Sequence, residues 1–129
     1  MDKFAKVLIM LVRLIALVEL GLGAAIFLGK ALPYMKLHIG LGFGMSFLLL
    51  LLAGVAALKK LTGPVLIGTI LAFLLPYIGL KQLPINFGRA ISPVQYAHVF
   101  IALAAIGAAE YIHAQIRKHP GGIVTVTHQ

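Results

Sequence analysis

Four long apolar runs constrain this chain more than any motif does. Each is close to the ~20 residues needed to cross about 30 Å of hydrocarbon. They cover residues 4–28, ending before Gly29 and Lys30; residues 33–58, stopped by Lys59 and Lys60; residues 62–80, opening on Thr62-Gly63-Pro64; and residues 92–116, opening on Ser92-Pro93 and stopped by Arg117 and Lys118. Backbone polar groups in hydrocarbon must be satisfied within the segment itself, which makes each run a helix. The connections are short except for residues 81–91, so the expected fold is all-α: a four-helix transmembrane bundle, up-down-up-down, in one domain over residues 1–118. Residues 119–129, with Pro120-Gly121-Gly122, read as a flexible C-terminal tail. Pro93 fits the first helical position behind a Ser92 N-cap, and Pro76 is expected to kink the third helix.

Composition narrows the function. Of 129 residues, 61% are hydrophobic and 11% are charged; the only acids are Asp2, Glu19 and Glu110, and there is no cysteine. Mean hydropathy is +1.06. Soluble domains carry about 25% charged residues, so an ordinary soluble enzyme, a disordered chain and a disulfide scaffold are excluded. The missing thiols also exclude thiolate metal sites and iron–sulfur clusters. The net charge of +8 does not point to nucleic acid, because the cations flank the apolar runs rather than cluster on a polar face. Lys3, Lys6, Arg13, Lys59, Lys60, Arg117 and Lys118 fall on one side and outnumber Lys30, Lys36, Lys81 and Arg89 on the other. That balance places both termini in the cytoplasm of a multi-pass protein of the cell inner membrane, surrounded by membrane lipid. Arg13 and Glu19 interrupt the first run, which therefore does not read as a cleaved signal.

A slide of sixty residues lays Leu32-Pro33-Tyr34-Met35-Lys36-Leu37-His38 over Ser92-Pro93-Val94-Gln95-Tyr96-Ala97-His98. A proline opens each segment and a histidine follows five residues later, which suggests two duplicated hairpins. Helices two and four run in the same direction, so His38 and His98 share a depth, about 7–8 Å below the outer boundary at 1.5 Å per residue. Ionisable residues inside a membrane are costly and mark functional sites by default. Two imidazoles at one level can clamp a haem iron from both faces. Small residues one turn on, Gly42 after His38 and Ala102 after His98, leave room for a flat ring. Lys36 and Arg89 lie on the side where haem propionates would emerge. Small residues also serve simply to pack membrane helices closely, and on that reading the histidines are architecture.

Four transmembrane helices with His38 and His98 facing each other resemble the four-helix membrane b-type cytochromes, including the cytochrome b561-like group. The resemblance covers the helix count and the histidine pair, without a longer motif. It implies haem b held by His38 and His98, and single-electron transfer with a redox partner or a quinone. Two-haem members carry a second pair near the other side. Here His113 has no histidine on helix two at its level, so the chain looks like a one-haem version.

The alternatives are a non-catalytic membrane subunit or scaffold, working as a homo-oligomer or within a membrane complex, and a transporter using Glu19. Glu19 near the middle of helix one resembles the essential carboxylate of the small multidrug resistance transporters, but their tryptophan is missing here. Arg13 and Glu110 fall at similar depths and are expected to pair, with His113 within reach. That pairing makes helices one and four neighbours. No nucleophile, base and orienting group occur together around Ser46 or Ser92, so hydrolytic or transferase chemistry is not expected.

Overall fold

The structure, a computed structural model, describes residues 2–81 and 93–119. Helix α1 spans Asp2–Phe27, α2 Met35–Leu58, α3 Thr62–Lys81 and α4 Pro93–Lys118, with a 3₁₀ turn at Leu32–Tyr34 leading into α2. All four are long and apolar enough to cross a membrane, the second span running from that turn through α2, as a multi-pass protein requires. Among the described residues there is no strand. The Ser92 cap, Arg89, and the tail beyond His119 lie outside the described residues.

Helix ends follow local chemistry. After α1, Gly29 takes a positive φ of 71°. Its N–H donates to the Ile26 carbonyl, and the Lys30 N–H donates back to Ala25. These are the paired bonds of a Schellman cap, for which glycine is the usual residue. The same motif closes α2 around a residue with a side chain. Lys60 sits at φ 58°, its N–H bonds Ala57 O, and the Leu61 N–H bonds Ala56 O. Lys59 holds the neighbouring helix end, its Nζ donating to the carbonyls of Ile116 at 2.9 Å and His119 at 2.8 Å. A cation is thereby set on the negative end of the α4 dipole. Helix α3 continues through Pro76 without interruption.

Helices α2 and α4 touch each other and both flanking helices; among the described residues α1 and α3 do not meet. The expected α1–α4 staple is present. Arg13 grips Glu110 with two bonds, Nε to Oε1 at 2.6 Å and an Nη to Oε2 at 2.9 Å. His113, one turn beyond Glu110, keeps its Nε2 buried without a hydrogen-bond partner.

The packing differs sharply between the two ends. Ile9, Val12, Leu49, Leu52, Ile112 and Ile116 are the largest fully buried side chains, and all lie toward the end that carries the α2–α3 turn. Gly68 lets α3 come close there, since a Cβ on it would lie 2.8 Å from Ile112 Cδ1 and 3.0 Å from Ala53 Cβ. Burial also repeats at the sixty-residue spacing: Met45 with Ala105, Leu49 with Ala109, Leu52 with Ile112, and Ala56 with Ile116 are buried in both hairpins. On α1 and α3 the matching spacing is fifty-six, pairing buried Val12 with Gly68 and Ala16 with Ala72.

Candidate functional site: a two-histidine cavity

Toward the other end, small residues replace the large ones and the bundle opens. A cavity of about 440 Å³ is lined by residues from all four helices, within the size range of small-molecule and cofactor sites. Its wall is mostly apolar, and among the described residues no lysine or arginine lines it. Its polar members are Glu19 of α1, His38 of α2, and Gln95, Tyr96 and His98 of α4.

Both predicted histidines line this cavity, as do Gly42 and Ala102, each one helical turn further along. The ring centres of His38 and His98 are 6.2 Å apart and the planes cross at 83°. Each ring rests on a glycine of the helix paired with its own. A Cβ on Gly23 would lie 3.3 Å from His38 Cε1, and one on Gly79 would lie 3.1 Å from His98 Cε1. The two hairpins therefore build the same device twice, a histidine laid on a bare stretch of neighbouring backbone. Gly23 and Gly79 were not singled out in the sequence because α1 and α3 do not align at a spacing of sixty.

The two rings differ in their polar surroundings. Glu19 Oε2 lies 2.8 Å from His38 Nδ1, although the approach is off hydrogen-bond alignment, and Glu19 Oε1 is buried without a partner. His98 Nδ1 is likewise buried and unpartnered. Glu19, read from sequence as an isolated carboxylate, is thus a neighbour of the histidine pair. Gln95, 6% exposed, is a further polar group at the cavity that composition did not single out.

Lys36 stands apart from this arrangement. It is exposed and is not part of the cavity wall, because residues two apart on a helix point to different faces. Lys81 lies with its ammonium 5.5 Å from the Tyr77 ring centre, a cation–π distance.

Fit to a haem can be tested on these distances. With a metal–imidazole bond of about 2.0–2.1 Å and about 1.2 Å from ring centre to nitrogen, two imidazoles on one metal place their centres roughly 6.4 Å apart. The observed separation matches, and the buried Nδ1 atoms leave the opposite nitrogens as the ligating ones. Edge-to-face contact between aromatic rings also spans 4.5–7 Å, so the separation suits direct packing too. Among the described residues, no group of three or more His, Cys, Asp or Glu could hold a metal ion; a bis-histidine haem needs only two protein ligands.

Fold and site together define a four-helix bundle of membrane-spanning type with a histidine-bearing apolar cavity toward one end. No family model, curated protein or solved structure matches the chain.

Proposed function

We propose that this chain is a small b-type cytochrome of the inner membrane, with both termini in the cytoplasm and one haem b between His38 and His98. The observation that carries the reading is the pair of crossed imidazoles 6.2 Å apart in a cavity to which every helix contributes. A haem there supplies reversible one-electron chemistry, its potential set by axial ligands and surroundings. His38 and His98 act as the two ligands, each held at the level its helix dictates. Gly23 and Gly79 bring backbone up to the rings and limit how far each can turn. The dense lower core, from Ile9 to Ile116, fixes the spacing of α2 and α4 and hence the gap between the ligands. The apolar wall excludes water and disfavours added charge. Electrons would come from a quinol-type or soluble donor and pass to a partner near the outer face. Lys36 and Arg89 are the cations that the sequence assigns to the propionates; Lys36 is not part of the cavity wall, and Arg89 lies outside the described residues.

The test compares reduced-minus-oxidised spectra of the wild type with those of His38→Ala, His98→Ala and the double variant. The reading expects split reduced bands in the wild type and their loss in all three variants, with helical content kept. An unchanged spectrum in the double variant, or a protein that takes up no haem, overturns it. In the second case the packing scaffold is the remaining account.

A further inference from the structure

The seam between α1 and α4 carries charge in a pattern that neither core packing nor the histidine cavity explains. Arg13 and Glu110 close it with a two-bond ion pair, which fixes the antiparallel register of the two helices. Seven residues are close to two helical turns and return to the same face about 10 Å along the axis. Counting seven back on α1 and seven forward on α4 sets Lys6 opposite Arg117. Both are exposed, and Lys6, Arg13, Glu110 and Arg117 all lie within electrostatic reach of the His113 ring. Among the described side chains neither Lys6 nor Arg117 forms a salt bridge, because Glu110 is held by Arg13 and Glu19 stands beside His38. Like charges at one level on adjacent helices repel. Topology asks only for cations in the flanks of the spans, not for cations opposite one another.

Beside this pair is an open hollow of about 340 Å³, lined by Ala114, Arg117 and Lys118. Ala114, one turn beyond Glu110, gives it a floor with almost no side chain. From there the seam turns apolar: Met10, Leu14 and Leu17 share a face of α1 and are 66%, 60% and 73% exposed.

We propose that Lys6, Arg117 and Lys118 bind the phosphate of an anionic phospholipid in the leaflet where α1 begins and α4 ends, its acyl chains lying along Met10, Leu14 and Leu17. The site is independent of the haem reading and lies at the far end of the bundle from the histidine cavity. The Arg117 fork presents paired N–H donors to phosphate oxygens, and the two ammonium groups add compact charge. Basic hollows against membrane helices suit anionic headgroups at this level. A soluble anion would meet the same cations but leave the apolar stripe uncovered. A second copy of the chain is disfavoured, because a two-fold axis along the membrane normal would set Lys6 of one chain against Arg117 of the other.

The experiment follows thermal unfolding of the chain purified in neutral detergent as phosphatidylglycerol, phosphatidylcholine or inorganic phosphate is added. The wild type should be stabilised, saturably, by phosphatidylglycerol alone. One cation at an anionic surface contributes about fivefold in affinity, so Lys6→Gln and Arg117→Gln should each raise the half-saturating lipid by about that factor, and the double variant by more than either. Lys6→Arg combined with Arg117→Lys keeps both charges and should saturate where the wild type does. So should Lys60→Gln, which removes an exposed cation from the α2–α3 turn at the same end. Circular dichroism verifies helical content throughout. Equal weakening by Lys60→Gln would mean diffuse surface charge and overturn the site. It is also overturned if inorganic phosphate replaces the lipid, if the double Gln variant saturates like the wild type, or if the wild type is indifferent to phosphatidylglycerol.

Discussion

Gly79→Ala is the substitution that most sharply examines the seat of the histidines. The added Cβ would lie 3.1 Å from His98 Cε1 and 3.5 Å from its Nδ1. Ordinary carbon contacts begin at about 3.5 Å, so the ring must retreat by roughly 0.4 Å or α3 must back away. Overpacking of this kind typically costs about 1–3 kcal/mol, and a ligand is held productively only to within about 0.5 Å. At 1.4 kcal/mol per tenfold, haemin binding should weaken by about 5- to 150-fold. Gly23→Ala places its Cβ 3.3 Å from His38 Cε1, a smaller conflict, and its effect should be under about fivefold on the same scale. Gly42→Ala meets only Glu19 Oε2 at 3.9 Å and should bind as the wild type does. All three gain helix propensity of about 0.8–1.0 kcal/mol, so the order must be read from haemin affinity by optical titration and not from melting. Equal affinities for Gly79→Ala and Gly42→Ala would refute the placement of His98 against α3.

Three further expectations concern the scaffold. Arg13→Ala should lower the melting temperature by stranding Glu110 at membrane depth, and the charge-swapped double variant Arg13→Glu with Glu110→Arg should recover most of the loss; equal melting of single and double variants would deny the staple. Lys60→Gly should stabilise the protein by about 1 kcal/mol in denaturant unfolding, because a left-handed backbone is costly for a residue with a side chain. Gly68→Ala should destabilise by about 1–3 kcal/mol, since Ala53 Cβ is fixed to the α2 backbone and cannot move aside as the tip of Ile112 can.

The fold was legible in the sequence because hydrocarbon leaves few choices. Apolar runs, the Gly29 and Lys59-Lys60 stops, and the prolines at 33 and 93 placed four helices close to where they lie. Counting depth from the boundary also foresaw the Arg13–Glu110 pair and the common level of His38 and His98. What escaped notice depends on rotation about helix axes. Helices α1 and α3 match at fifty-six and α2 and α4 at sixty, so the connection in the second hairpin is four residues longer, one helical turn. A single fixed slide lost Gly23 and Gly79 for that reason. Lys36, two residues before His38, turns away from the cavity, which a depth count cannot show. Glu19 and His38 lie on different helices at depths differing by about 6 Å at 1.5 Å per residue, and only side-chain reach brings them together. Lys60 in a left-handed turn had no local signal, because lysine is not the residue that conformation selects.

The most direct test of the central claim is low-temperature electron paramagnetic resonance of the ferric, haemin-loaded protein. Two imidazoles crossing at 83° on one iron predict a strongly anisotropic low-spin signal, with one haem per chain. A high-spin signal, a low-spin signal typical of parallel imidazole planes, or no bound haem would contradict the two-histidine site described here.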